Sequence, residues 1–487
     1  MVDDARRTAL NPVLLTDEQQ GVVDSAAPEL VVNAYAGTGK TTTLRAYAAA
    51  RPQQRMLYLA FNKVTASEAA ASFPPNVTCR TIHSLAYTAV GHRYRHKLGA
   101  LRASDIMRLY QGVTAAMAEL LAQTLDSYMV SADDSIAIEH VPAELALSDR
   151  QQFAAAARRL WTDMLDEARS TALPHDGYLK VYQLTRPVLW RRHDVILLDE
   201  AQDTNPVTAD IVLRQRCGKV LVGDRHQSIY GFRGSINAMA MMPRAEAHYL
   251  TRSMRFGEPV ARAATLLLQT MKDETHAIAG LGRMSATPGQ VDRRQPYAII
   301  SRSNASVFAQ AVKAIGQSKV HFVGGVQNYL LGKLTDVHNI WSGRRDLVQD
   351  AFYRDFDDIE SLALHGRETG DKEILSLVSV VREYRAALPG LIATVTGAAC
   401  EQPGDADILL MTAHRSKGLE FDQVLLDDDF HDLVDKEGKP NRGALDAQAF
   451  EQEINLLYVG MTRARRALEL NRQCRAVLDA AQRGRKN

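Results

Sequence analysis

Short apolar runs that end in polar or glycine-rich segments recur along the chain. "ELVVNA" precedes a glycine-rich turn, Val195–Leu198 precedes two carboxylates, and "VLVG" precedes Asp224. "YAIISRSN" and the two apolar runs in "ILLMTAHRSKGLEFDQVLL" repeat the pattern in the second half. Such runs are typical of parallel strands that are buried on both faces, and open α/β folds bind ligands at the carboxyl ends of these strands. The pattern therefore predicts an α/β protein.

Between these runs, residues 85–190 are rich in Ala, Leu and Arg at helical spacing, as in "RQQFAAAARRLWTDMLDEARS". We expect a helical insertion here. Basic stretches such as "HRYRHK" leave two interpretations open, namely contact with backbone phosphates or a solvated helix face.

Composition narrows the class of protein only slightly. With 46% apolar and 24% charged residues, the 487-residue chain is typical of soluble globular proteins. A net charge of +1 argues against a histone-like nucleic-acid binder but not against a groove with a local positive lining. Cys79, Cys217, Cys400 and Cys474 form no CxxC pair, which argues against a zinc or iron–sulfur site and favours a reduced compartment. The sequence predicts neither a signal peptide nor a membrane span.

Residues 34–41, "AYAGTGKT", match the phosphate-binding pattern GxxxxGK[ST] except at Ala34, which replaces the first glycine. In such a loop, backbone N–H groups and the positive end of the following helix face an anion. Lys40 would reach the β- and γ-phosphates, and Thr41 would be a ligand of Mg²⁺. The alternative is a plain glycine turn between a strand and a helix. The predicted nucleotide contacts in this segment are Ala36, Gly37, Thr38, Gly39, Lys40, Thr41 and Thr42.

Asp199 and Glu200 follow the apolar run Val195–Leu198. At the carboxyl end of a parallel strand, Asp199 suits a Mg²⁺ ion and Glu200 suits a base that aligns a water on the γ-phosphate. The alternative is a helix-capping cluster that includes Asp203 and Thr204. Together with the P-loop, the pair favours ATP hydrolysis over small-molecule phosphotransfer.

Two aromatic residues, Tyr230 and Phe232, follow Gln227 in "VLVGDRHQSIYGFRG". Their rings suit stacking on the bases of a single strand, and the alternative is that they fill the core beneath the loop. Further along, "TAHRSKGLEF" and "YVGMTRARRAL" carry additional polar and basic residues between apolar runs.

In this order, the segments resemble the motifs of superfamily 1 DNA helicases of the UvrD/Rep type over residues 15–466. The wording of "GDRHQSIYGFRGSINAM" and "VHFVGGVQNY" is similar to the F-box DNA helicase branch. The resemblance implies two RecA-like parallel-sheet domains that use ATP and Mg²⁺ to move along DNA. It also implies single-stranded DNA and its junctions with duplex as substrates, recombination or replication proteins as partners, and a cytoplasmic or nucleoid-associated location.

The resemblance assigns roles to residues on both halves of the chain. Gln19 would recognise adenine, and Glu420 would contact the ribose. Gln227, Arg255 and Arg463 would sense or neutralise the γ-phosphate. The implied DNA contacts are Phe61, Asn62, Lys63, Thr81, His83, Tyr230, Phe232, Thr412 and His414.

The chain also departs from the common pattern of these helicases. Arg225 and His226 stand where many relatives have acidic residues or Asp-Pro, and Phe232 stands where many have Trp. Ser253 and Met254 replace the usual Asn-Tyr before the arginine. These differences bear on how strongly the chain stacks bases and contacts the γ-phosphate.

The resemblance gives expected domain boundaries. Residues 1–84 and 191–245 would form the first RecA-like domain, with the helical insertion at 85–190. Residues 246–326 and 406–487 would form the second, interrupted by a reduced accessory insertion at 327–405. The acidic segment "LLDDDFHDLVDKEGKP" is expected to be a solvent-exposed loop.

The expected function is a 3′→5′ helicase that separates duplex DNA. A rival function is a single-strand-stimulated ATPase that strips proteins, such as recombinase filaments, from DNA without unwinding. The reduced insertion keeps this rival open, because strand separation in the family depends on peripheral domains. A small-molecule kinase fits less well, since it offers no role for Tyr230, Phe232 or "TAHRSKGLEF".

Overall fold

The computed structural model describes residues 14–143, 145–231, 234–282, 289–329, 331–368, 371–443 and 445–484. The chain divides into two compact units. The first contains the described residues up to Ala34 together with Gly39–Leu250. The second contains Tyr35–Thr38 and the described residues from Thr251 onward.

The first unit is built on a six-stranded, all-parallel sheet in the order β3-β2-β4-β5-β1-β6. Its elements are α1 (Asp17–Asp24), β1 (Glu29–Ala34), α2 (Lys40–Ala49), β2 (Met56–Ala60), α3 (Lys63–Ser72), β3 (Val77–Thr81), α4 (Ile82–Ala89), α5 (Ala103–Leu109), α6 (Ala115–Val130), α7 (Leu147–Leu165), α8 (His175–Leu184), β4 (Val195–Leu198), α9 (Pro206–Leu213), β5 (Gly218–Gly223) and β6 (Glu246–Leu250).

Alternate residues of the central strands enter different apolar cores. Met56 and Tyr58 of β2 belong to the core that includes α1 and α2, whereas Leu57 and Leu59 belong to the core on the side of α4–α9. Because successive side chains of a strand point to opposite faces, both faces of this sheet are covered. This double burial is the reason for the uninterrupted apolar runs in the sequence.

The strand β6 extends the first unit beyond its expected end. The sequence placed the boundary after residue 245, but Glu246–Leu250 pairs in parallel with β1, and the second unit begins at Thr251. Most residues of β6 are partly or fully exposed, so "EAHYL" lacks the apolar run that reveals the inner strands.

The segment 85–190 contains the four helices α5–α8, in agreement with its helical spacing. In α7 the buried residues Ala154, Ala157, Trp161 and Met164 recur every three or four positions. They join the same core as β2 and β4, so this segment packs on the first sheet.

The second unit contains a five-stranded parallel sheet in the order β10-β11-β9-β12-β13, and two short paired strands, β7 and β8. Its elements are β7 (Arg252–Ser253), α10 (Glu258–Lys272), β8 (Ala279–Gly280), β9 (Tyr297–Ser301), α11 (Asn304–Ala314), β10 (Val320–Phe322), α12 (Leu331–Trp341), α13 (Ala351–Arg354), α14 (Ile359–Glu368), α15 (Lys372–Tyr384), α16 (Leu388–Ala398), β11 (Ile408–Thr412), α17 (Ala413–Ser416), β12 (Phe421–Leu426), α18 (Ala447–Met461), β13 (Ala464–Glu469) and α19 (Arg472–Gly484). The predicted α/β class with parallel sheets is confirmed.

The helices of residues 327–405 belong to the core of the second unit. Leu362 of α14 and Val378 of α15 lie in one apolar cluster with Ile299 of β9 and Leu410 of β11. The segment therefore covers a face of this sheet and shares its core.

The acidic segment after β12 is only partly the exposed loop that the sequence suggests. Asp427 accepts hydrogen bonds from Ser301 Oγ (2.8 Å) and Gln310 Nε2 (2.9 Å). Burial and the neighbouring Asp429 raise the pKa of Asp427 to about 6. By contrast, Lys436 and Glu437 are exposed as expected.

In the described part of the chain, no helix is both long and apolar enough to cross a membrane.

Candidate functional site

The glycine-rich loop follows β1 directly, and α2 begins at Lys40. Gly37 and Gly39 have φ angles of +75° and +81°, in the left-handed region that favours glycine. The first backbone N–H groups of a helix have no partners within the helix, so they are available to an anion. This strand, turn and helix form the phosphate-binding arrangement that the P-loop pattern predicts.

Gln19 lies next to this loop. A Cβ atom on Gly39 would come within 2.7 Å of Gln19 Nε2, so glycine leaves room for the glutamine amide. Gln19 Oε1 also accepts a hydrogen bond from the Thr16 backbone N–H (2.9 Å), while the Gln19 N–H donates to Thr16 Oγ1 (3.2 Å). This capping box fixes the start of α1 and places Gln19 beside the P-loop. Its contact with adenine stays a prediction.

The two predicted catalytic carboxylates lie opposite the start of α2. Thr41 Oγ1 donates to Asp199 Oδ2 (3.2 Å), and Lys40 Nζ lies 3.3 Å from Glu200 Oε1. Tyr58 contributes a further hydrogen bond from its hydroxyl to Asp199 Oδ2 (2.6 Å). The strand order explains why the start of α2 lies close to the two carboxylates, since β1 and β4 both border β5 and all three strands run in parallel.

The electrostatics of this cluster suit a divalent cation. Burial and the neighbouring Glu200 raise the pKa of Asp199, because its negative charge is poorly compensated. Burial and the charge of Asp199 likewise raise the pKa of the Tyr58 hydroxyl, which keeps it a hydrogen-bond donor. The Thr41 hydroxyl and the Asp199 carboxylate are oxygen ligands of the kind that Mg²⁺ prefers, and they lie within hydrogen-bonding distance of each other.

Gln227 occupies a buried position in the sensor loop, which we define as residues 224–230. Its Nε2 donates to Asp224 Oδ2 (2.8 Å), at the carboxyl end of β5. Gln202, which the sequence analysis did not single out, links this loop to the carboxylates. Its Nε2 donates to Glu200 Oε2 (2.6 Å), and its Oε1 accepts from the Asp224 backbone N–H (3.0 Å).

Two of the aromatic candidates for base stacking meet in the first unit. Phe61 is 55% exposed, and its ring stacks on that of Tyr230 at a centroid distance of 6.0 Å and an interplanar angle of 11°. Tyr230 is half-buried against the exposed Phe61 ring, so its role in base stacking stays a prediction. Phe232 lies outside the described residues.

Several polar candidates for DNA contact are N-caps of helices that follow strands. The side chains of Asn62, Thr81 and Thr412 accept hydrogen bonds from the first turns of α3, α4 and α17. Their side-chain oxygens are therefore engaged by the backbone, and Thr412 is buried. The exposed Asn62 keeps its amide N–H₂ group for a strand contact, and Lys63 at the start of α3 is an exposed neighbour.

His83 lies in the first turn of α4, where its side chain contacts an acidic and an aromatic residue. Its Nε2 lies 3.1 Å from Asp176 Oδ1, and its ring meets Tyr178 edge-on. A cavity of about 570 Å³ adjoins it, lined among others by Lys63, Arg80 and Thr81. In the second unit, His414 lies in α17, directly after Thr412 and Ala413.

The arginines predicted to reach the γ-phosphate lie in different environments. Arg255 Nε donates to Glu420 Oε1 (2.7 Å) and its Nη1 to the Thr462 carbonyl (3.1 Å). Arg463 is only 1% exposed, and its guanidinium donates to the carbonyls of Val459 and Leu419. Arg255 and Glu420 therefore form a partly exposed ion pair, whereas the Arg463 guanidinium is buried.

Comparison with known proteins places these features in a family. A model of the UvrD-like helicase C-terminal domain matches residues 352–472, and a model of an AAA domain matches residues 14–288. F-box DNA helicase 1 of Gallus gallus is 32% identical over 514 residues, which cover 97% of this chain and 50% of the relative. The chain belongs to the UvrD-like DNA helicases. F-box DNA helicase protein 1 of Schizosaccharomyces pombe is 30% identical over 511 residues, which cover 94% of this chain and 57% of the relative.

The family resemblance predicted from the ordered motifs is thereby confirmed, including the F-box branch. The chain spans about half the length of the curated relatives it matches. Tyr58 and Gln202 are the site residues that motif reading missed. Tyr58 lies among apolar residues in "MLYLA", so the sequence predicts only a core position for it. Gln202 follows the carboxylate pair, but no motif spacing marks it as a site residue.

Because its guanidinium is buried, Arg463 should contribute to the stability of this UvrD-like helicase. We expect Arg463→Ala to lower the free energy of unfolding by roughly 1–3 kcal/mol, because it removes a buried guanidinium together with its hydrogen bonds to the Val459 and Leu419 carbonyls. Arg466→Ala is the matched control, since the Arg466 side chain is 74% exposed. Urea unfolding of both variants measures the difference. Equal stability of the two would contradict a structural role for the Arg463 guanidinium.

Proposed function

We propose that this chain is an ATP-driven motor that moves 3′→5′ along single-stranded DNA and separates duplex ahead of it. The observation that supports this most is the assembly of Lys40, Asp199, Glu200 and Gln227 along one edge of the first sheet. The exposed Phe61 ring stacks on the half-buried Tyr230 ring in the same unit, and Tyr230 lies in the same loop as Gln227.

In this proposal the P-loop and the carboxylates carry out ATP hydrolysis. Lys40 holds the β- and γ-phosphates, and Glu200 accepts a proton from the attacking water. Thr41 and Asp199 would hold Mg²⁺, which when bound neutralises phosphate charge. Arg255 stabilises the charge that develops on the γ-phosphate. Hydrolysis without this arginine is slow.

The single strand is held by stacking and by contacts to its backbone. A base stacked on Phe61 or Tyr230 gains about 1–3 kcal/mol irrespective of its identity, which suits a motor that moves over every sequence. Lys63 and Arg80 supply positive charge near the cavity beside His83. Because the sensor loop carries both Gln227 and Tyr230, occupation of the strand site and hydrolysis of ATP involve the same short segment.

A partial duplex distinguishes this motor from a protein-stripping ATPase. We expect a duplex with a 3′ single-stranded tail to be opened in the presence of ATP and Mg²⁺, and a duplex with only a 5′ tail to stay closed. Strand separation is measured by the loss of quenching between labels on the two strands. The Lys40→Ala variant is the control, since it lacks the cation that holds the phosphates.

The outcomes separate the two functions. Opening of the 5′-tailed duplex alone would overturn the proposed polarity. Displacement of a protein filament from single-stranded DNA, with neither duplex opened, would favour the stripping ATPase. Absence of any ATPase stimulation by single-stranded DNA would contradict both.

A further inference from the structure

Gln202 joins the hydrolytic carboxylate to the sensor loop through a fully buried amide. The residue is 0% exposed. Its Nε2 donates to Glu200 Oε2 (2.6 Å) and to Asp203 Oδ2 (2.8 Å), and its Oε1 accepts from the Asp224 N–H (3.0 Å). Both ends of one amide are thus committed, the donor end to the carboxylates and the acceptor end to the sensor loop.

The backbone of Gln202 makes a second connection to the same loop. Ser228 Oγ donates to the Gln202 carbonyl (3.2 Å). Within the loop, Asp224 accepts from the His226 N–H (3.0 Å) and from Gln227 Nε2 (2.8 Å). The segment that leads to Tyr230 is therefore fastened to Gln202 at two positions, Asp224 and Ser228.

Gly223 gives independent evidence that the position of the Gln202 amide matters. A Cβ atom at residue 223 would lie 2.3 Å from Gln202 Oε1 and 3.1 Å from the Gln202 backbone nitrogen. The last residue of β5 must therefore be small for the amide to reach Asp224. A steric requirement of this kind is expected where a close approach is built into the fold.

Glu200 depends on this amide for its orientation. Its backbone has φ of +52°, a conformation that is unfavourable for a residue other than glycine and that surrounding contacts must maintain. One carboxylate oxygen lies near Lys40 and the other accepts from Gln202. Loss of the Gln202 donor would remove the 2.6 Å hydrogen bond that helps to orient this second oxygen.

We propose that Gln202 is a positioning residue that couples strand occupancy at the sensor loop to the orientation of Glu200, and so to the rate of ATP hydrolysis. This inference rests on the proposed function, because it requires that DNA contacts Tyr230. A base stacked on Tyr230 shifts the sensor loop, the loop moves the Asp224 N–H and Ser228, and the Gln202 amide passes the change to the carboxylate. The hydrogen bonds cited for this coupling join residues of the first unit.

The test compares two buried glutamines of the same unit. Gln202→Met keeps the size of the side chain but removes its donor and acceptor. Gln215→Met is the matched control, since Gln215 is also buried and bonds the Leu189 N–H and the Ile211 carbonyl, outside the site. We measure kcat and KM for ATP with saturating oligo(dT), the dissociation constant for oligo(dT), and the melting temperature.

We expect Gln202→Met to lower kcat about 10- to 100-fold, since small misplacements of a catalytic group have effects of this size. The KM for ATP and the affinity for oligo(dT) should stay within about threefold of the wild-type values, because the proposed ATP and DNA contacts are kept. Gln215→Met should keep the wild-type kcat per folded molecule. A kcat of Gln202→Met within twofold of wild type, in folded protein, would overturn the proposal.

A second pair of variants keeps the test decisive if Gln202→Met does not fold. Gly223→Ala should lower kcat in the wild-type background, because its methyl group displaces the amide. In a Gln202→Ala background the same change should have a smaller effect, since the 2.3 Å clash with Oε1 is gone and only the 3.1 Å approach to the backbone nitrogen of residue 202 and the 3.0 Å approach to Met239 Cε remain. Equal effects in both backgrounds would overturn the coupling. If wild-type ATPase does not respond to oligo(dT), the proposed function fails instead, and this outcome is distinct from the others.

Discussion

Replacing Glu200 by Gln is expected to lower the rate of ATP hydrolysis by roughly 10²- to 10⁴-fold while leaving ATP binding nearly unchanged. Glutamine keeps the shape of the side chain and an oxygen near Lys40, which lies 3.3 Å from the present carboxylate. It cannot accept the proton of the attacking water, because an amide oxygen is far less basic than a carboxylate. The loss should therefore fall on kcat, measured by phosphate release with saturating single-stranded DNA.

A surface glutamate provides the control for this change. Glu68 is exposed in α3 of the same unit, and Glu68→Gln alters net charge by the same amount. We expect that variant to hydrolyse ATP at the wild-type rate. Binding of a fluorescent ATP analogue to Glu200→Gln should match wild-type binding. Turnover of Glu200→Gln close to that of wild type would remove Glu200 from the role of base.

The sequence predicts the parts of this site that depend on local pattern. Val195–Leu198 is apolar throughout because the strand is buried on both faces, and Asp199 and Glu200 follow it directly. The P-loop can also be recognised from the local sequence, since Gly37 and Gly39 adopt left-handed conformations that few other residues tolerate. The fold class and the position of the carboxylates relative to the strand follow from such local rules, whereas the family follows from the resemblance of the ordered motifs.

The parts that the sequence does not predict depend on contacts between distant segments. The role of Gln202 depends on Gly223, the last residue of the neighbouring strand β5, and on Asp224, which follows it. Asp427 reads as part of an acidic loop, yet Ser301 and Gln310 from other elements bind it. Strand β6 is polar because it lies at an edge, so periodicity does not reveal that it belongs to the first sheet.

A sequence motif likewise does not predict whether the side chain of an arginine is buried or exposed. Both arginines were assigned to the γ-phosphate from resemblance alone, but the structure gives Arg463 a buried guanidinium that bonds backbone carbonyls. Arg255 instead shares a partly accessible ion pair with Glu420, the residue expected to contact the ribose. An incoming nucleotide would thus compete for both members of this pair, which makes Arg255 the better candidate for a finger that responds to ATP.

Arg255→Ala is accordingly expected to lower kcat by about 10³- to 10⁵-fold, the range found for arginine fingers in phosphoryl transfer. Arg255→Lys should recover only part of this loss, because lysine keeps the charge but not the planar fork of donors. The melting temperature should fall modestly, since the ion pair with Glu420 contributes about 0–1 kcal/mol and the hydrogen bond to the Thr462 carbonyl about 0.5–1.5 kcal/mol. Arg262→Ala, on the exposed surface of α10 in the same unit, is the control for loss of one positive charge. Single-turnover hydrolysis with saturating ATP and single-stranded DNA measures the chemical step, and a rate of Arg255→Ala within tenfold of wild type would exclude Arg255 as the finger.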